Sequence, residues 1–334
     1  MRAAVLHRPG QMSENPLVLE ERAMPSPGPG EVLLRVEACG VCRTDLHITM
    51  GELKPMRDEV IPGHQIVARI AGLGDGVAAG LPAMDERVGV SWMGGVDGTC
   101  LLCRKRKENL CDHPVFTGYS VNGGYAEYTV ARADFCTPLP EEPKAEELAP
   151  LLCAGIIGFR SLRVAGVEHG DRVGLFGFGS SAHLAIEILK AWNCEVYVAT
   201  RGESHRQMAR ELGATWVGDA LDRPPEPLDC AVTFAPSGDV VLAALAALRK
   251  GGVVAINAIH LDRMPQFDYD SLLWGERQLR SVANMTREDA RDFLKMAQEI
   301  GIRPKTTLFS LEDVNAALSA VYRETIDGAA VVLC

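Results

Sequence analysis

The sequence predicts an α/β protein in which a doubly wound parallel sheet is inserted into a β-rich domain. Up to about residue 140, the chain reads as short strands separated by Gly and Pro turns, without a long helical pattern. From about residue 145, strands alternate with helices of about 10–15 residues, which is the pattern of βαβ units. The length of 334 residues suits about two domains.

Composition and charge narrow the class of protein. Hydrophobic residues make up 47% and charged residues 23% of the chain, as in an ordinary folded protein with a sizeable core. The 34 basic and 44 acidic residues give a net charge of −10, which argues against nucleic acid and anionic membranes as partners. No apolar run approaches the ~20 residues that span a bilayer, and the start MRAAVLHRPG lacks an apolar signal core. We therefore expect a cytoplasmic protein without a membrane partner.

The strands of the first part are predicted by alternation that follows turn-forming residues. Prolines and glycines fill the segment 25–30, and Val32, Leu34 and Val36 then point to one face of a strand. The stretch GGYAEYTVARADFCTPLP (123–140) reads as another strand that ends in a Pro turn. These features predict a barrel-like β unit.

The second part begins with a helical pattern at 144–166 and continues as alternating elements. In chain order these are DRVGLFGF (171–178), SSAHLAIEILKAW (180–192), EVYVAT (195–200), ESHRQMARELGA (203–214), LDCAVTFA (228–235), DVVLAALAALRKGG (239–252), VVAINAI (253–259), TREDARDFLKMAQEI (286–300), SLEDVNAALSAVY (310–322) and GAAVVLC (328–334). Thr286 and Asp289 form a predicted capping box, and Ser310 is the predicted cap of the last helix.

The turn between the first strand and helix of the alternating part carries a dinucleotide-binding pattern. Its residues are Gly177, Phe178, Gly179, Ser180, Ser181 and Ala182. Gly177 suits a tight turn, Gly179 permits close approach of a pyrophosphate, and Ala182 is small enough for helix–strand packing. The N–H groups at the helix start would then face the phosphates. A turn with a purely structural role is the alternative.

The end of the second strand indicates which dinucleotide is bound. An Asp or Glu there would hydrogen-bond the adenosine ribose of NAD, but the sequence has Thr200 and Arg201, with Arg206 a helical turn later. A guanidinium suits a 2′-phosphate because it offers paired N–H donors. We therefore expect NADP(H) to be preferred over NAD(H). The alternative is that both arginines are solvated and that NAD is bound through its other groups.

Three closely spaced cysteines, Cys100, Cys103 and Cys111, indicate a metal site rather than a core. The three-residue step continues upstream to Asp97, whose carboxylate would complete a tetrahedron with three thiolates. The basic run at 104–107 would offset the negative charge of these ligands. The spacing predicts a structural zinc, with a degraded site of free thiols as the alternative.

Further Cys and His residues lie in the segments CGVCRTDLH (39–47), PGHQ (62–65) and LLCAG (151–155). With these segments, the cysteine-rich lobe and the Gly-rich turn in this order, the chain resembles the zinc-dependent alcohol dehydrogenases of the medium-chain dehydrogenase/reductase superfamily. The resemblance covers essentially the whole length. It implies a GroES-like catalytic domain and an inserted Rossmann domain, with the active site in the cleft. We expect the catalytic domain at 1–150 plus 285–334, its zinc lobe at about 92–113, and the Rossmann domain at 151–284.

The resemblance implies a catalytic zinc with an open fourth position. Cys42, His64 and Cys153 fall at its three protein ligands. Asp45 falls at the carboxylate that orients His64, whereas Cys39 is expected to be a small buried side chain. A zinc of this kind lowers the pKa of a bound alcohol, so that a hydride can pass to the nicotinamide.

The same resemblance implies roles for residues near this zinc. Thr44 falls at the hydroxyl that hydrogen-bonds the substrate oxygen. His47 falls at the outer end of a proton relay that runs from Thr44 through the nicotinamide ribose. Trp92 resembles a substrate-pocket position and Phe116 is a further candidate; such a lining suits aromatic or medium-length aliphatic substrates.

Two residues depart from the family pattern. Gln65 stands where the family usually has Glu, which removes one negative charge near the metal and predicts a somewhat more electrophilic zinc. Asp97 replaces the first cysteine of the lobe, which leaves the strength of that site open.

We therefore expect a zinc-dependent alcohol dehydrogenase or aldehyde reductase that uses NADP(H), binds two zinc ions per chain and forms a homodimer or homotetramer. Its substrate would be a primary alcohol or aldehyde. The first alternative is a zinc-free quinone or enoyl reductase of the same superfamily, which the ligand set Cys42, His64 and Cys153 argues against. The second is a non-catalytic sensor that binds zinc or NADP(H), which His47 and the Gly-rich turn argue against.

Overall fold

The computed structural model describes residues 1–78, 80, 82–326 and 328–334. The described chain divides into two compact units. Unit 1 comprises Met1–Cys153, Asn284–Asp292 and Arg303–Cys334, and unit 2 comprises Ala154–Ala283 and Phe293–Ile302.

The helices and strands follow in chain order. The strands are β1 (Arg2–Leu6), β2 (Leu17–Glu21), β3 (Glu31–Val41), β4 (Gln65–Leu73), β5 (Arg87–Val90), β6 (Met93–Gly95), β7 (Val115–Phe116), β8 (Tyr128–Arg132), β9 (Thr137–Pro138), β10 (Arg172–Phe176), β11 (Glu195–Ala199), β12 (Trp216–Gly218), β13 (Leu228–Thr233), β14 (Leu248–Ile256), β15 (Gln278–Ser281), β16 (Thr306–Ser310) and β17 (Ala329–Leu333). The α-helices are α1 (Arg43–Thr49), α2 (Leu101–Arg104), α3 (Ala145–Leu148), α4 (Ala154–Ala165), α5 (Ser180–Ala191), α6 (Glu203–Glu211), α7 (Gly238–Ala247), α8 (Tyr269–Leu272), α9 (Arg287–Ile300) and α10 (Val314–Tyr322).

Unit 1 is built on a seven-stranded sheet in the order β16-β17-β3-β4-β5-β9, with β8 also paired to β3. Apart from the parallel pair β16 and β17, its strands pair antiparallel. In β3 the predicted alternation is confirmed: Val32, Leu34 and Val36 are buried, whereas Arg35 between them is exposed. The C-terminal strand β17 pairs with β3, so the end of the chain completes the sheet begun by its start.

Unit 2 contains a six-stranded sheet in the order β12-β11-β10-β13-β14-β15, and all its pairs are parallel. This is the doubly wound order of the Rossmann fold, so the predicted fold class is confirmed. The strand order reverses between β10 and β13. Ligands of such sheets bind beyond the carboxyl ends of the strands at this reversal, which is where the turn after β10 lies.

The helical pattern at 144–166 is interrupted. A 3₁₀ turn at Ala149–Leu152 follows α3, and Cys153 (φ −130°, ψ −70°) separates it from α4. Pro150 has no backbone N–H and cannot continue the α-helical hydrogen bonds of α3. The predicted helix at 239–252 is also too long, because the chain leaves the helix after Ala247 and pairs as β14 from Leu248.

The helix α9 belongs to both units, which differs from the expected assignment of all of 285–334 to the catalytic domain. From Phe293 to its end, the helix lies with unit 2, which includes Phe293–Ile302. The ring of Phe293 lies 6.0 Å from that of Phe159 on α4, and a Cβ on Gly155 would come within 2.3 Å of it. The bare backbone at Gly155 therefore lets the apolar side of α9 pack onto α4.

Of the two predicted helix caps, the one at Thr286 is present and the one at Ser310 is not. Thr286 and Asp289 form the capping box, in which the Asp289 N–H donates to Thr286 Oγ1 at 3.0 Å and the Thr286 N–H to the Asp289 carboxylate at 2.9 Å. Ser310 instead donates its hydroxyl to Asp313 at 2.8 Å and precedes a 3₁₀ turn, so α10 begins only at Val314.

One helical stretch, Ala145–Ala165, has the length and apolar composition of a membrane span, which corrects the expectation that no such run exists. Its apolar window is 72% buried inside the protein. Such burial is also that of a core helix, in which apolar side chains face the protein.

The contact between α4 and α5 predicts an effect of Gly158→Ala. A Cβ at this position would lie 2.9 Å from the backbone oxygen of Ser181, which cannot rotate away. We expect the free energy of unfolding to fall by about 1–3 kcal/mol in urea denaturation, because the helices must separate. Helix propensity alone would raise it by about 1 kcal/mol, so a more stable variant would contradict this packing.

Candidate active site

The first predicted ligand lies where β3 passes into α1. Cys42 is the N-cap residue of α1, and its backbone N–H donates to Asp45 Oδ2 at 2.9 Å. A carboxylate in the first turn is favoured there by the free N–H groups and the helix dipole. The hydrogen bond fixes the start of the helix and with it the backbone that carries the Cys42 thiol.

The other oxygen of the same carboxylate orients His64. His64 and Asp45 are both fully buried, and His64 Nδ1 lies 3.0 Å from Asp45 Oδ1. With Asp45 ionised, Nδ1 carries the proton and donates it, which leaves Nε2 as the ligand atom. This Nε2 lies 3.4 Å from the Sγ of Cys42.

The third predicted ligand joins them from the break before α4. The ligand atoms of Cys42, His64 and Cys153 all lie within 4.8 Å of one another. Sulfur and nitrogen ligands of a tetrahedral zinc are about 3.6 Å apart, given bonds of about 2.3 and 2.0–2.1 Å. The three side chains therefore fit a zinc ion that keeps a fourth position open.

Electrostatics favour the ligand form of Cys42. A hydrogen bond from the Cys153 thiol outweighs burial and, with help from His64, lowers the pKa of Cys42 to about 5. Burial lowers the pKa of His64, but the charges of Asp45 and Cys42 outweigh it and the pKa lies well above its usual value. The hydrogen bond to Cys42 and burial raise the pKa of Cys153. A metal must displace these protons, so its binding is favoured as pH rises.

The predicted relay residues lie on α1, three positions apart and therefore on one side of the helix. Thr44 is buried in the first turn. His47 forms a hydrogen bond through Nδ1 with the carboxylate of Glu52, which is about half exposed. Glu52 was not predicted from the sequence, because a carboxylate five residues after His47 follows no recognised motif.

An aromatic wall, formed by Trp92, Phe116 and Tyr119, stands beside the ligand His64. The Trp92 ring meets the His64 ring edge-on at 5.3 Å and 79°. Phe116 stacks on Trp92 at 4.8 Å, and Tyr119 does so at 5.9 Å. The structure thus brings both predicted pocket residues together and adds Tyr119, whose hydroxyl donates to the backbone oxygen of Lys54.

The predicted lobe ligands also converge. The ligand atoms of Asp97, Cys100, Cys103 and Cys111 lie within 4.8 Å of one another. Backbone N–H groups point at them: Asp97 Oδ1 accepts from Cys100 at 2.9 Å and from Thr99 at 2.8 Å, and these bonds hold the pKa of Asp97 well below its usual range. Asp97 is therefore ionised and fixed in place, as a metal ligand should be.

Arg287, which was not predicted from the sequence, connects the lobe to the start of α9. The Arg287 guanidinium contacts Glu108 at 2.7 Å and Asp134 at 3.0 Å, and it lies 4.5 Å from the ring centre of Phe135. Its backbone N–H also donates to Glu108 at 2.7 Å. No spacing rule links positions so far apart in the chain.

The predicted dinucleotide turn follows β10 in unit 2. Gly177 has φ +89°, and a Cβ there would lie 2.9 Å from the nitrogen of Ala235, so the turn requires glycine. Among the residues that the structure describes, none has an atom within 4 Å of a Cβ placed on Gly179, and this N-cap glycine gives α5 no side-chain cap. Gly179 and Ser180 are exposed, so the start of α5 has room for a phosphate.

Two further positions of this turn point inward. Ala182, in the first turn of α5, is fully buried. Phe178 is only 1% exposed, and its ring lies 4.7 Å from that of His183. Its side chain is therefore part of the core, so Phe178 offers a ligand its backbone alone.

The two arginines that were predicted to bind the 2′-phosphate, Arg201 and Arg206, differ in their exposure and in their ion pairs. Thr200 is buried, whereas Arg201 is exposed and pairs with no carboxylate in the described part of the chain. Arg206 contacts Glu203 and Asp219, each at 3.0 Å. Arg206 is already neutralised by these neighbours, so Arg201 is the cation left for a ligand.

Comparison with known proteins identifies the family. The alcohol dehydrogenase GroES-like domain matches residues 28–141, and the zinc-binding dehydrogenase domain matches residues 182–299. Over 100% of its length the chain is 45% identical to the probable alcohol dehydrogenase AdhA of Mycobacterium tuberculosis, of which it covers 97%. The chain belongs to the zinc-dependent alcohol dehydrogenases of the medium-chain dehydrogenase/reductase superfamily.

Other relatives support the same family assignment. An alcohol dehydrogenase of Geobacillus stearothermophilus is 32% identical, and the match covers 99% of each chain. The structure of acetophenone reductase from Geotrichum candidum in complex with NAD matches with a TM-score of 0.86 and 25% identity, over 100% of this chain and 97% of that one. This protein is therefore an NAD(P)-dependent alcohol dehydrogenase, an oxidoreductase that acts on the CH–OH groups of small molecules.

In this dehydrogenase, the residue before His64, Gly63, is tightly packed. Gly63 has φ +96°, and a Cβ there would lie 2.8 Å from both the Cys39 sulfur and a ring carbon of Tyr125. Cys39 and Tyr125 are fully buried, so neither can move aside without opening the core.

This packing predicts that Gly63→Ala loses both stability and metal binding. We expect the free energy of unfolding to fall by about 2–4 kcal/mol, because the backbone is strained and the core is overpacked. Gly30→Ala is the matched control, since Gly30 has φ +74° but open space around it, and about 1–2 kcal/mol is expected. Urea unfolding and metal analysis measure both; equal losses in the two variants would contradict the packing argument.

Proposed function

We propose that this alcohol dehydrogenase is zinc-dependent and transfers a hydride between NADP(H) and a primary alcohol or aldehyde. The observation that carries the proposal is the convergence of Cys42, His64 and Cys153, with the fully buried His64 oriented by Asp45. When bound, zinc supplies a Lewis acid for the substrate oxygen, and the nicotinamide supplies or accepts the hydride.

The residues of this chain bind, orient and move protons. Asp45 keeps the Nε2 atom of His64 directed at the ligand cluster. The Thr44 hydroxyl hydrogen-bonds the substrate oxygen and takes its proton during alcohol oxidation. His47 passes the proton outward, and its hydrogen bond to the half-exposed Glu52 gives the proton a route to solvent.

The aromatic wall supports aromatic or medium-length aliphatic substrates. Its three rings form an apolar surface beside His64 on which an aromatic or aliphatic group can pack. A small polar substrate would make little use of this surface. The solved relative named acetophenone reductase supports an aromatic carbonyl compound.

We also propose a structural zinc in the lobe, held by Asp97, Cys100, Cys103 and Cys111. The amide hydrogen bonds to the Asp97 carboxylate support it, because they hold an ionised ligand in place where the family pattern has a cysteine.

The proposed proton transfer predicts that Thr44→Val lowers kcat for the reduction of benzaldehyde by about 10²–10⁴-fold, since Val keeps the shape but lacks the hydroxyl. Thr44→Ser, the matched control, should keep most of the activity. Chelation should abolish the activity of the unmodified enzyme and zinc should restore it. Activity that survives both Thr44→Val and zinc removal would favour the zinc-free reductase instead.

The free cation at Arg201 predicts cofactor preference. Arg201→Gln should raise the KM for NADPH about tenfold, because a hydrogen-bonded ion pair with the 2′-phosphate is lost, and leave the KM for NADH unchanged. Arg210→Gln, on the exposed part of α6, is the control. If the KM values for NADPH and NADH do not change relative to each other, the NADP preference is wrong.

A further inference from the structure

An asparagine outside the predicted site connects the aromatic wall to the zinc lobe. The indole Nε1–H of Trp92 donates to Asn284 Oδ1 at 3.1 Å. The Asn284 side-chain amide donates in turn to the backbone oxygen of Asn109 at 2.9 Å. All three residues belong to unit 1. One side chain thus links the wall beside His64 with the loop that carries the lobe ligands.

The lobe end of this link is rigid. Asn109 is only 3% exposed and lies in the 3₁₀ turn Glu108–Leu110, directly before the ligand Cys111. The same turn is held by Arg287 through Glu108. The oxygen that Asn284 contacts is therefore fixed by the fold of the lobe itself.

The backbone of Asn284 is held in a conformation that few side chains tolerate. Its φ is +54°, in the left-handed region where asparagine is enriched among residues other than glycine. This conformation places the side chain between a donor on Trp92 and an acceptor on Asn109, and the amide serves both because it has an acceptor oxygen and a donor N–H.

We propose that Asn284 is a positioning residue that couples the metal lobe to substrate binding by fixing the indole of Trp92 beside His64. The inference rests on the proposed function, in which the aromatic wall contacts the substrate. Without the hydrogen bond to Asn284 the indole can turn about its side-chain torsions, and the face offered to an aromatic substrate is no longer fixed. Proton and hydride transfer do not involve Asn284, so binding should change and chemistry should not.

Two substitutions distinguish the hydrogen bond between Asn284 and Trp92 from the one between Asn284 and Asn109. Asn284→Gly removes both hydrogen bonds and accepts the positive φ without strain. Asn284→Asp keeps an acceptor for Trp92 but loses the donor to the Asn109 oxygen. Asn15→Gly is the matched control, because Asn15 has φ +49°, is exposed and lies outside the site.

The first experiment compares benzaldehyde with acetaldehyde as substrates of the zinc-loaded enzyme. Asn284→Gly should raise the KM for benzaldehyde about three- to tenfold, because the hydrogen bond that holds the Trp92 indole is lost. The kcat should stay within twofold, and the KM for acetaldehyde should not change. Asn15→Gly should match the unmodified enzyme. A fall in kcat for both aldehydes, or no change in the KM ratio, would overturn the proposal.

The second experiment reads Trp92 directly, as the difference in fluorescence between each protein and its Trp92→Phe derivative. Asn284→Gly should shift this emission and increase its quenching by acrylamide. Partial removal of zinc by a chelator should shift it in the unmodified enzyme but not in Asn284→Asp, where the lobe is uncoupled. If zinc removal shifts the emission equally in both, Asn284 does not couple the lobe to Trp92.

The outcomes also separate this inference from the proposed function. If the unmodified enzyme keeps its activity without zinc, the proposed function fails, whatever the fluorescence shows. If the enzyme is zinc-dependent but Asn284→Gly changes neither the Trp92 emission nor the KM ratio, only the positioning role of Asn284 fails.

Discussion

The hydrogen bonds of the Asp45 carboxylate are the interaction on which the rest of the site depends. One oxygen caps α1 by accepting a hydrogen bond from the N–H of Cys42, and the other accepts a hydrogen bond from Nδ1–H of His64. The carboxylate is fully buried, where an ionised group without partners would be very costly. One group therefore sets the start of the helix, the position of one ligand and the tautomer of another, and no single replacement side chain retains all three functions.

Rigid surroundings make this arrangement possible. His64 follows Gly63, whose backbone is enclosed by Cys39 and Tyr125, and Cys42 follows the long central strand β3. Cys42 and His64 thus come from segments whose backbone is fixed by sheet pairing and close packing rather than by the metal. A site of this kind keeps its geometry before the metal binds, so little ordering entropy is lost on binding.

Sequence patterns of a few residues predicted those structural features that are determined by residues adjacent in the chain. The alternation in β3, the glycines of the dinucleotide turn and the capping box at Thr286 each act over a few residues. Cys42, His64 and Cys153 come from distant segments, and family resemblance rather than spacing joined them. Contacts that form only in the folded chain were missed: Tyr119 stacks on Trp92, Glu52 meets His47, and Asn284 bridges two loops. The end of α7 was misjudged because pairing of Leu248 in β14 overrides its helical pattern.

We propose that Cys42, His64 and Cys153 hold a zinc ion that is required for activity and is distinct from the zinc ion of the lobe. Zinc content per chain, determined by elemental analysis on protein purified without chelator, tests it most directly when Cys42→Ser and Cys103→Ser are measured together. We expect about two zinc ions in the unmodified enzyme and about one in each variant, with activity abolished only in Cys42→Ser. A folded, zinc-free enzyme that still reduces aldehydes, or a Cys42→Ser variant with full zinc content and activity, would contradict it.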